Sequence, residues 1–113
     1  MATIDLSQLV TAGMKAEAAR AALARRFRAA IQDHVDAVAR SRDYDSDVSL
    51  ASYAASGNPA WAADAATFVA WRDVVWAGAH AELAAMTAGA REQARIEDFI
   101  AGLPAVEWPG LDG

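Results

Sequence analysis

The chain has 113 residues, contains no Cys and carries a net charge of −5 at pH 7. This length predicts one domain with a small core, and the absence of Cys excludes disulfides and thiolate metal sites. The acidic balance argues against a general affinity for nucleic acid. No charged segment followed by an apolar one opens the chain, and no apolar run reaches 18 residues, so neither secretion nor membrane spanning is expected.

The first segment, Met1–Thr11, is short and mixes apolar with polar residues. We expect an extended arm, or a short turn of helix, that packs onto a neighbour. Its apolar side chains are the candidates for contact with a partner: Ile4, Leu6, Leu9 and Val10. Thr11 can serve as the N-cap of the helix that follows.

The spacing of apolar residues predicts a first long helix over Ala12–Arg40. One of its faces should point to the core, with Val35 at the margin of that face. The residues on this face are Leu23, Phe27, Ala30, Ile31, His34 and Val38. The first turns of the helix consist almost entirely of Ala and charged residues, which favour helix but bury little.

A polar break over Ser41–Asp47 separates this helix from a short one, predicted over Asp47–Ala55. Either Asp45 or Ser46 can cap its first turn. The short helix should end before Pro59, with Gly57 in the left-handed conformation that often closes a helix.

The longest apolar pattern predicts a central helix over Pro59–Ala88, capped by Asn58 and stopped at Gly89. At 100° per residue its apolar side chains fall within roughly 100°, and its length is about 45 Å. This predicted core face comprises Trp61, Ala65, Phe68, Val75, Trp76, Ala79, Leu83 and Met86. Trp71 and Val69 flank the face.

A last short helix is predicted over Glu92–Ala101, followed by an extended tail over residues 104–113. Trp108 is the anchor of this tail and a further candidate for contact with a partner. The whole chain is then a single all-α domain over residues 1–113. We expect the two long amphipathic helices to pack antiparallel, with the short helices closing the ends and no sheet.

Charge is distributed unevenly along the chain. Residues 15–42 hold seven Lys or Arg against three acids, whereas residues 43–113 hold three Arg against eleven acids. Two elements that pack against each other, or against a partner subunit, explain this pattern most simply. Contact of the basic segment with phosphate is the lesser alternative, because the acidic remainder would repel nucleic acid.

Two groups of residues resemble parts of metal sites. Asp43, Asp45 and Asp47 have the spacing of the first ligands of an EF-hand loop, but the Gly and Glu that such a loop needs later are missing. His34 and His80 are the two imidazoles of the chain. His34 lies on an apolar helix face, where a hydrogen-bonded core histidine is the ordinary case. We therefore expect no metal and no cofactor.

Catalytic patterns are missing as well. The sequence has no Gly-rich phosphate loop, no G-x-S-x-G and no Ser/His/Asp arrangement with supporting context. The chain is therefore predicted not to be an enzyme.

Arg72 falls inside the apolar sector of the central helix. An unpaired charge there would be costly, so a carboxylate partner is expected from Asp36, Asp43, Asp45 or Asp47. Alternatively, the stem of the side chain covers apolar surface while its head reaches solvent. If Arg72 is buried and paired, Arg72→Met should be far less damaging than removal of its acidic partner alone.

The Trp-rich face of the central helix also has two interpretations. Trp61, Phe68 and Trp76 at helical spacing are typical of a core. They could instead line a pocket for a ligand or a groove for a peptide, which would make the protein a small binding module. Because one partner helix cannot cover so wide a face, a homodimer built on the long helices is expected.

Three stretches resemble a family of small proteins encoded among the tail genes of bacteriophages and prophages, often near the tail-fibre genes. They are IDLSQLVTA, the long run ARSRDYDSDVSLASYAASGNPAWAADAATFVAWRDVVWAGAHAEL, and LPAVEWP. The resemblance covers residues 4–12 and about 27–109, and its most specific parts are RDYDS, NPAWAA and FVAWRDVVW. Departures are Gly13-Met14, in place of acidic residues, and Gly78 and His80, in place of aromatic ones.

The resemblance implies a context rather than a mechanism. It implies a protein that contacts a phage tail or tail-fibre protein during assembly or in the finished tail. Its location would be the host cytoplasm or the virion. The family offers no catalytic residues to carry over to this chain.

Overall fold

The computed structural model describes residues 6–87 and 96–110. Within these residues the chain forms α1 (Leu6–Ser41), α2 (Asp47–Ala51), a 3-10 helix (Ser52–Ala55), α3 (Pro59–Thr87) and α4 (Ile96–Ala101). The described residues contain no strand, so the predicted all-α class is confirmed. The molecule is elongated and measures 79 × 22 × 18 Å.

The first long helix begins earlier than predicted, at Leu6 rather than Ala12. The predicted cap at Thr11 is wrong, because this residue lies inside α1 and its hydroxyl donates to the Ser7 carbonyl oxygen at 2.8 Å. Residues 6–12 hold no proline, and the cost of one interior Gly, about 1 kcal/mol at Gly13, does not break a helix rich in Ala. α1 therefore runs unbroken for 36 residues, about 54 Å.

α1 ends in a Schellman motif. The Tyr44 N–H donates to the Ala39 carbonyl oxygen at 3.1 Å, and the Asp43 N–H donates to the Arg40 carbonyl oxygen at 2.9 Å. These are the two bonds that satisfy the last carbonyls of a helix in this motif. The residue that reverses the chain is Asp43, which has a φ of 72°.

The turn before α3 differs from the prediction in one respect. Ser46 caps α2 by accepting from the Ser49 N–H, as predicted, but the last turn tightens into the 3-10 helix. The predicted left-handed Gly57 is wrong, since its φ lies outside that region. Ser56, in extended conformation, ends the 3-10 helix instead, and its hydroxyl accepts from the Asn58 N–H at 3.0 Å. A left-handed residue is not needed where the chain leaves in extended form.

α3 begins as predicted. The side-chain oxygen of Asn58 accepts from the N–H groups of Ala60 and Trp61, at 3.0 and 3.3 Å, which satisfies two of the free donors of the first turn. The helix extends through Thr87. Its predicted end at Ala88 and stop at Gly89 lie outside the described residues.

The face of α1 that enters the core is rotated from the predicted one. Phe27, Ile31, Val35 and Ala39 are fully buried, whereas Leu23, Ala30, His34 and Val38 are half-buried. Val35 was predicted at the margin and lies at the centre. The reason is a contact seam at intervals of four residues, along which α1 packs on α3 and α2.

The predicted core face of α3 is correct for Ala65, Phe68, Val75, Ala79 and Leu83, all of which are buried. Trp76 and Met86 are half-buried. Trp61 is not a core residue, because 48% of its surface is exposed beyond the last turn of α1.

The C-terminal segment explains why Trp71, predicted to flank the core, is buried. The chain leaves α4 and runs without regular structure over residues 104–110. The Trp71 indole N–H donates to the Pro104 carbonyl oxygen at 2.7 Å. Trp108 stacks on Phe68, with ring centroids 6.2 Å apart and planes 3° from parallel. In α4, Phe99 contacts Phe27 at 5.1 Å, while residues 92–95 of the predicted helix lie outside the described residues.

Candidate partner-binding surfaces

The first turns of α1 expose their described side chains to solvent. Every side chain that the structure describes between residues 7 and 21 is exposed, and the first buried residue of α1 is Phe27. These turns are helical because Ala, Leu, Met, Lys and Arg favour helix, not because tertiary packing holds them. We call residues 7–21 the exposed segment of α1.

This exposed segment combines apolar and basic side chains. Val10 and Met14, one turn apart, are 60% and 65% exposed. From residue 15 to residue 28 the helix holds five Lys or Arg and one Glu. Ile4 and the side chains of Leu6 and Leu9, which the sequence marks for partner contact, lie outside the described residues. The exposed segment itself holds Lys15, Arg20 and Glu17, and further Arg residues follow it up to Arg28, so α1 carries a partly apolar surface followed by a basic one.

A polar network joins α1, α2 and α3 at Asp47. Arg72 donates to one carboxylate oxygen of Asp47, and Gln32 donates to the other at 3.0 Å. The Asp47 N–H donates to the Asp36 carboxylate at 2.9 Å, and Gln32 also reaches that carboxylate at 3.3 Å. The predicted pairing of Arg72 with a nearby acid is therefore confirmed, and its partner is Asp47.

This network positions helices rather than a ligand. Asp47 is 5% exposed, and among the described residues no buried side-chain nitrogen or oxygen lacks a hydrogen-bond partner. Burial of charged groups is tolerated when they are paired and hydrogen-bonded. The network therefore fixes α2 between the two long helices.

A second polar group lies where α1 ends beside the start of α3. Arg42 donates twice to Asp64, at 3.1 and 3.3 Å, and the Tyr44 hydroxyl donates to the same carboxylate at 3.1 Å. Burial, followed by the hydrogen bond to Asp64 and the negative charge of that carboxylate, raises the pKa of Tyr44 above its ordinary value. The phenol is thus held in its neutral, donating form.

An open cleft of about 820 Å³ adjoins this group. Tyr44 and Tyr53 lie 5.6 Å apart between ring centroids, and Tyr53 lies 5.6 Å from Trp61. Arg42, Asp43 and Asp64 line the cleft together with these rings, and Pro59 and Pro109 border it. The exposed Trp61 belongs to this cleft, so one residue of the predicted Trp-rich face does line a concave surface.

Phe68 and the neighbouring Trp71 are covered by the chain itself, while Trp76 is half-buried. Trp108, expected to anchor a partner, packs within the chain on Phe68, and the Arg42 guanidinium lies 5.1 Å from the centroid of the Trp108 ring. Trp71 is covered by residues 103–106. Phe68, Trp71 and Val75 are therefore core residues, as are Phe27 and Ile31.

The two histidines contact different tryptophans. The His34 ring lies 5.9 Å from Trp71, and the His80 ring lies 5.8 Å from Trp76. Asp47 is buried in its network while Asp43 and Asp45 are exposed, so the three acids do not point to one centre. Among residues 6–87 and 96–110, no group of three or more His, Cys, Asp or Glu residues could hold a metal ion.

Sequence reasoning did not identify Arg42, Tyr44, Tyr53 and Asp64 as members of one cluster. A signal for Asp64 existed, because at 100° per residue it falls at the edge of the apolar sector, one turn from Trp61 and Phe68. A carboxylate at that position needs a partner. Which residue supplies it depends on the path of the chain after α1, and this path cannot be read from helical periodicity.

Comparison with protein-family models, with curated proteins and with solved structures finds no match for this chain. No helix in the described part of the chain is both long enough and apolar enough to cross a bilayer.

Proposed function

We propose that this chain is a non-enzymatic phage or prophage tail-associated protein that acts by protein–protein contact in the assembly or structure of the tail or tail fibre. The observation that carries the proposal is the exposed segment of α1. The sequence resemblance to tail-region proteins supplies the context, in the host cytoplasm or on the virion.

None of the side chains that the structure describes between residues 7 and 21 is buried, and a helix exposed over this length needs a physical reason. In an isolated protein, the ordering of those residues is offset by helix propensity alone, which is weak. A helix with apolar residues at intervals of four is a common means of docking into a groove or onto another helix. Val10 and Met14 present such a pair.

The basic residues that follow the apolar pair indicate the kind of partner. Lys15 and Arg20 lie within the exposed segment, and α1 stays basic as far as Arg28. An acidic, partly apolar surface on a tail protein would complement both features and speed association. The acidic remainder of this chain disfavours nucleic acid as the partner.

The finer architecture that we propose is an antiparallel pair of long helices. The contacts that support it run in opposite order along the two segments: His34 lies against Trp71, whereas the later Arg42, just after α1, pairs with the earlier Asp64. This arrangement places the exposed segment of α1 at one end of the molecule.

The test is affinity capture with the full-length chain from a lysate of the phage or of an induced prophage. We expect a tail or tail-fibre protein, identified by mass spectrometry, in stoichiometric amount. Capture of no tail protein, at chain concentrations in the micromolar range, would contradict the proposal.

A further inference from the structure

The cleft at the end of α1 is separate from the exposed segment, and its walls are aromatic. The planes of Tyr44 and Tyr53 are inclined by 57°, and those of Tyr53 and Trp61 by 68°. Rings inclined in this way form adjoining walls of a concave surface rather than a flat stack. Trp61, at one end of this row, is 48% exposed.

The charges around the cleft are unequal. Arg42 is the cation that lines it, and Asp43 and Asp64 are the two carboxylates. The Arg42 guanidinium is already committed, since it bonds Asp64 and lies over the Trp108 ring. An anionic ligand would therefore find no free positive group among the lining residues that the structure describes.

Asp43 is the carboxylate of the cleft that Arg42 does not pair with. Its side chain is exposed and makes no ion pair or hydrogen bond with any described residue. The helix end does not need this side chain, because glycine adopts a φ of 72° with less strain than Asp. The cleft thus carries one uncompensated negative charge beside three aromatic rings.

Aromatic faces and an unpaired carboxylate attract the same kind of ligand. The faces of Trp and Tyr rings bear negative potential, and organic cations bind over them. We propose that this cleft binds an organic cation, a substituted ammonium group carried either by a small molecule or by a side chain of another protein. The cleft volume, about 820 Å³, is within the range of small-molecule sites.

The test uses the full chain labelled with ¹⁵N and choline chloride as the probe, followed through the indole N–H signal of Trp61. We expect a saturable shift of this signal. The neutral isostere 3,3-dimethyl-1-butanol should bind at least about threefold more weakly, because it lacks the charge that the ring faces attract. Equal binding of the two compounds, or no shift with choline up to tens of millimolar, would overturn the proposal.

Variants separate the roles of the residues. Asp43→Asn should weaken choline binding about threefold, whereas Asp45→Asn, a neighbouring exposed acid outside the cleft, should leave it unchanged. Trp61→Leu should remove binding, followed through the backbone amide of Asp64, while Val74→Ala, an exposed apolar residue elsewhere on α3, should not. Equal effects of the two Asp variants would overturn the assignment of the charge.

A comparison of choline with Nα-acetyl-lysine methylamide, which keeps its ε-ammonium group, identifies the source of the cation. Tighter binding of choline assigns a free quaternary ammonium compound, and tighter binding of the lysine derivative assigns a protein side chain. Either result supports a cation site. Because the exposed segment of α1 contributes nothing to this cleft, the tail-protein proposal and this one can fail independently.

Discussion

The carboxylate of Asp47 is more buried than the guanidinium that it pairs with: 7% of the Asp47 side chain is exposed, against 26% for Arg72. Because of this difference in burial, removal of Arg72 should lower the stability of the fold more than removal of the Asp47 charge. A guanidinium that reaches solvent can be hydrated when its partner is removed, whereas a carboxylate inside the network cannot.

The ranking of the two substitutions expected from the sequence therefore reverses. We predict that Arg72→Met lowers the free energy of unfolding by about 2–3 kcal/mol, because it leaves the buried carboxylate with Gln32 as its remaining side-chain donor. Asp47→Asn keeps the shape and accepting oxygen and should cost about 1 kcal/mol. Urea unfolding measures both values, with Arg25→Met on the exposed surface as control. A larger loss for Asp47→Asn would restore the original ranking.

Tyr44 gives the chain a dependence on pH at the alkaline end. Its pKa is raised in the folded state by burial and then by Asp64, so the unfolded chain loses this proton first. The stabilisation is complete below the ordinary tyrosine pKa, about 10, and is lost as pH rises through the raised value.

We predict that Tyr44→Phe lowers stability by about 1–2 kcal/mol at neutral pH, because the hydrogen bond to a charged acceptor is lost. The difference between the two proteins should shrink above about pH 10. Melting temperatures across that range measure the effect, and Tyr53→Phe serves as control because no hydrogen bond to Asp64 depends on it. A constant difference at all pH values would contradict the account.

At the level of single residues, the sequence indicates that Arg72 needs a carboxylate partner but does not identify which acid it is. Four acids lie within plausible reach of Arg72, namely Asp36, Asp43, Asp45 and Asp47. The turn after α1 buries Asp47 and directs its N–H to the Asp36 carboxylate. Asp36 is thereby hydrogen-bonded to Asp47, and Asp47 is the acid that pairs with Arg72. That outcome depends on the left-handed Asp43, a conformation that Asp adopts less readily than Gly or Asn.

At the level of elements, the two ends of the chain behave differently. The described side chains of the exposed segment of α1 are all exposed, while the C-terminal segment packs on Trp71 through Pro104 and on Phe68 through Trp108. From the sequence, apolar residues of both termini were candidates for contact with a partner. Trp108 instead packs on Phe68 within the chain.

We predict that deletion of residues 1–19 removes helix signal but leaves the melting temperature nearly unchanged, since every described side chain between residues 7 and 19 is exposed. Deletion of residues 104–113 should lower the free energy of unfolding by about 2 kcal/mol or more, because it uncovers Trp71 and Phe68. Trp108→Ala, a milder version of the second change, should give part of that loss. Circular dichroism melts provide the measurement, and equal stability of the two truncated chains would contradict the assignment.

The sequence predicts elements better than faces. The start of α3 is predicted correctly, because Asn58 and Pro59 mark it clearly. It misplaces Val35, Trp61 and Trp71, whose burial depends on where α1 ends and on the returning C-terminal segment. Contacts between segments far apart in sequence leave no periodic signal.

At the level of the whole molecule, the expected homodimer stays a prediction, and the surface available to it has changed. The Trp-rich face is largely covered by the chain itself, so a dimer would have to use the long helices through the exposed segment of α1. Because residues 15–28 of α1 are basic, two copies of this helix repel each other, and association should strengthen as salt screens their charges. Light scattering at micromolar concentration measures this, and a mass of 11.9 kDa at both low and high salt would refute the dimer.

The central claim is that the exposed segment of α1 binds a tail protein, and a paired set of variants tests it most directly. Val10→Asp/Met14→Asp places two charges on the apolar side of the segment, and Ala12→Asp/Ala16→Asp places the same charges on the opposite side at the same spacing. Neither pair touches the core. The measurement is the amount of tail or tail-fibre protein captured from phage lysate by each variant, relative to the unmodified chain. We predict at least about a tenfold loss for the first pair, as expected when charges replace apolar contacts, and near-normal capture for the second. Equal capture by both, or no tail protein captured by the unmodified chain, would contradict the account.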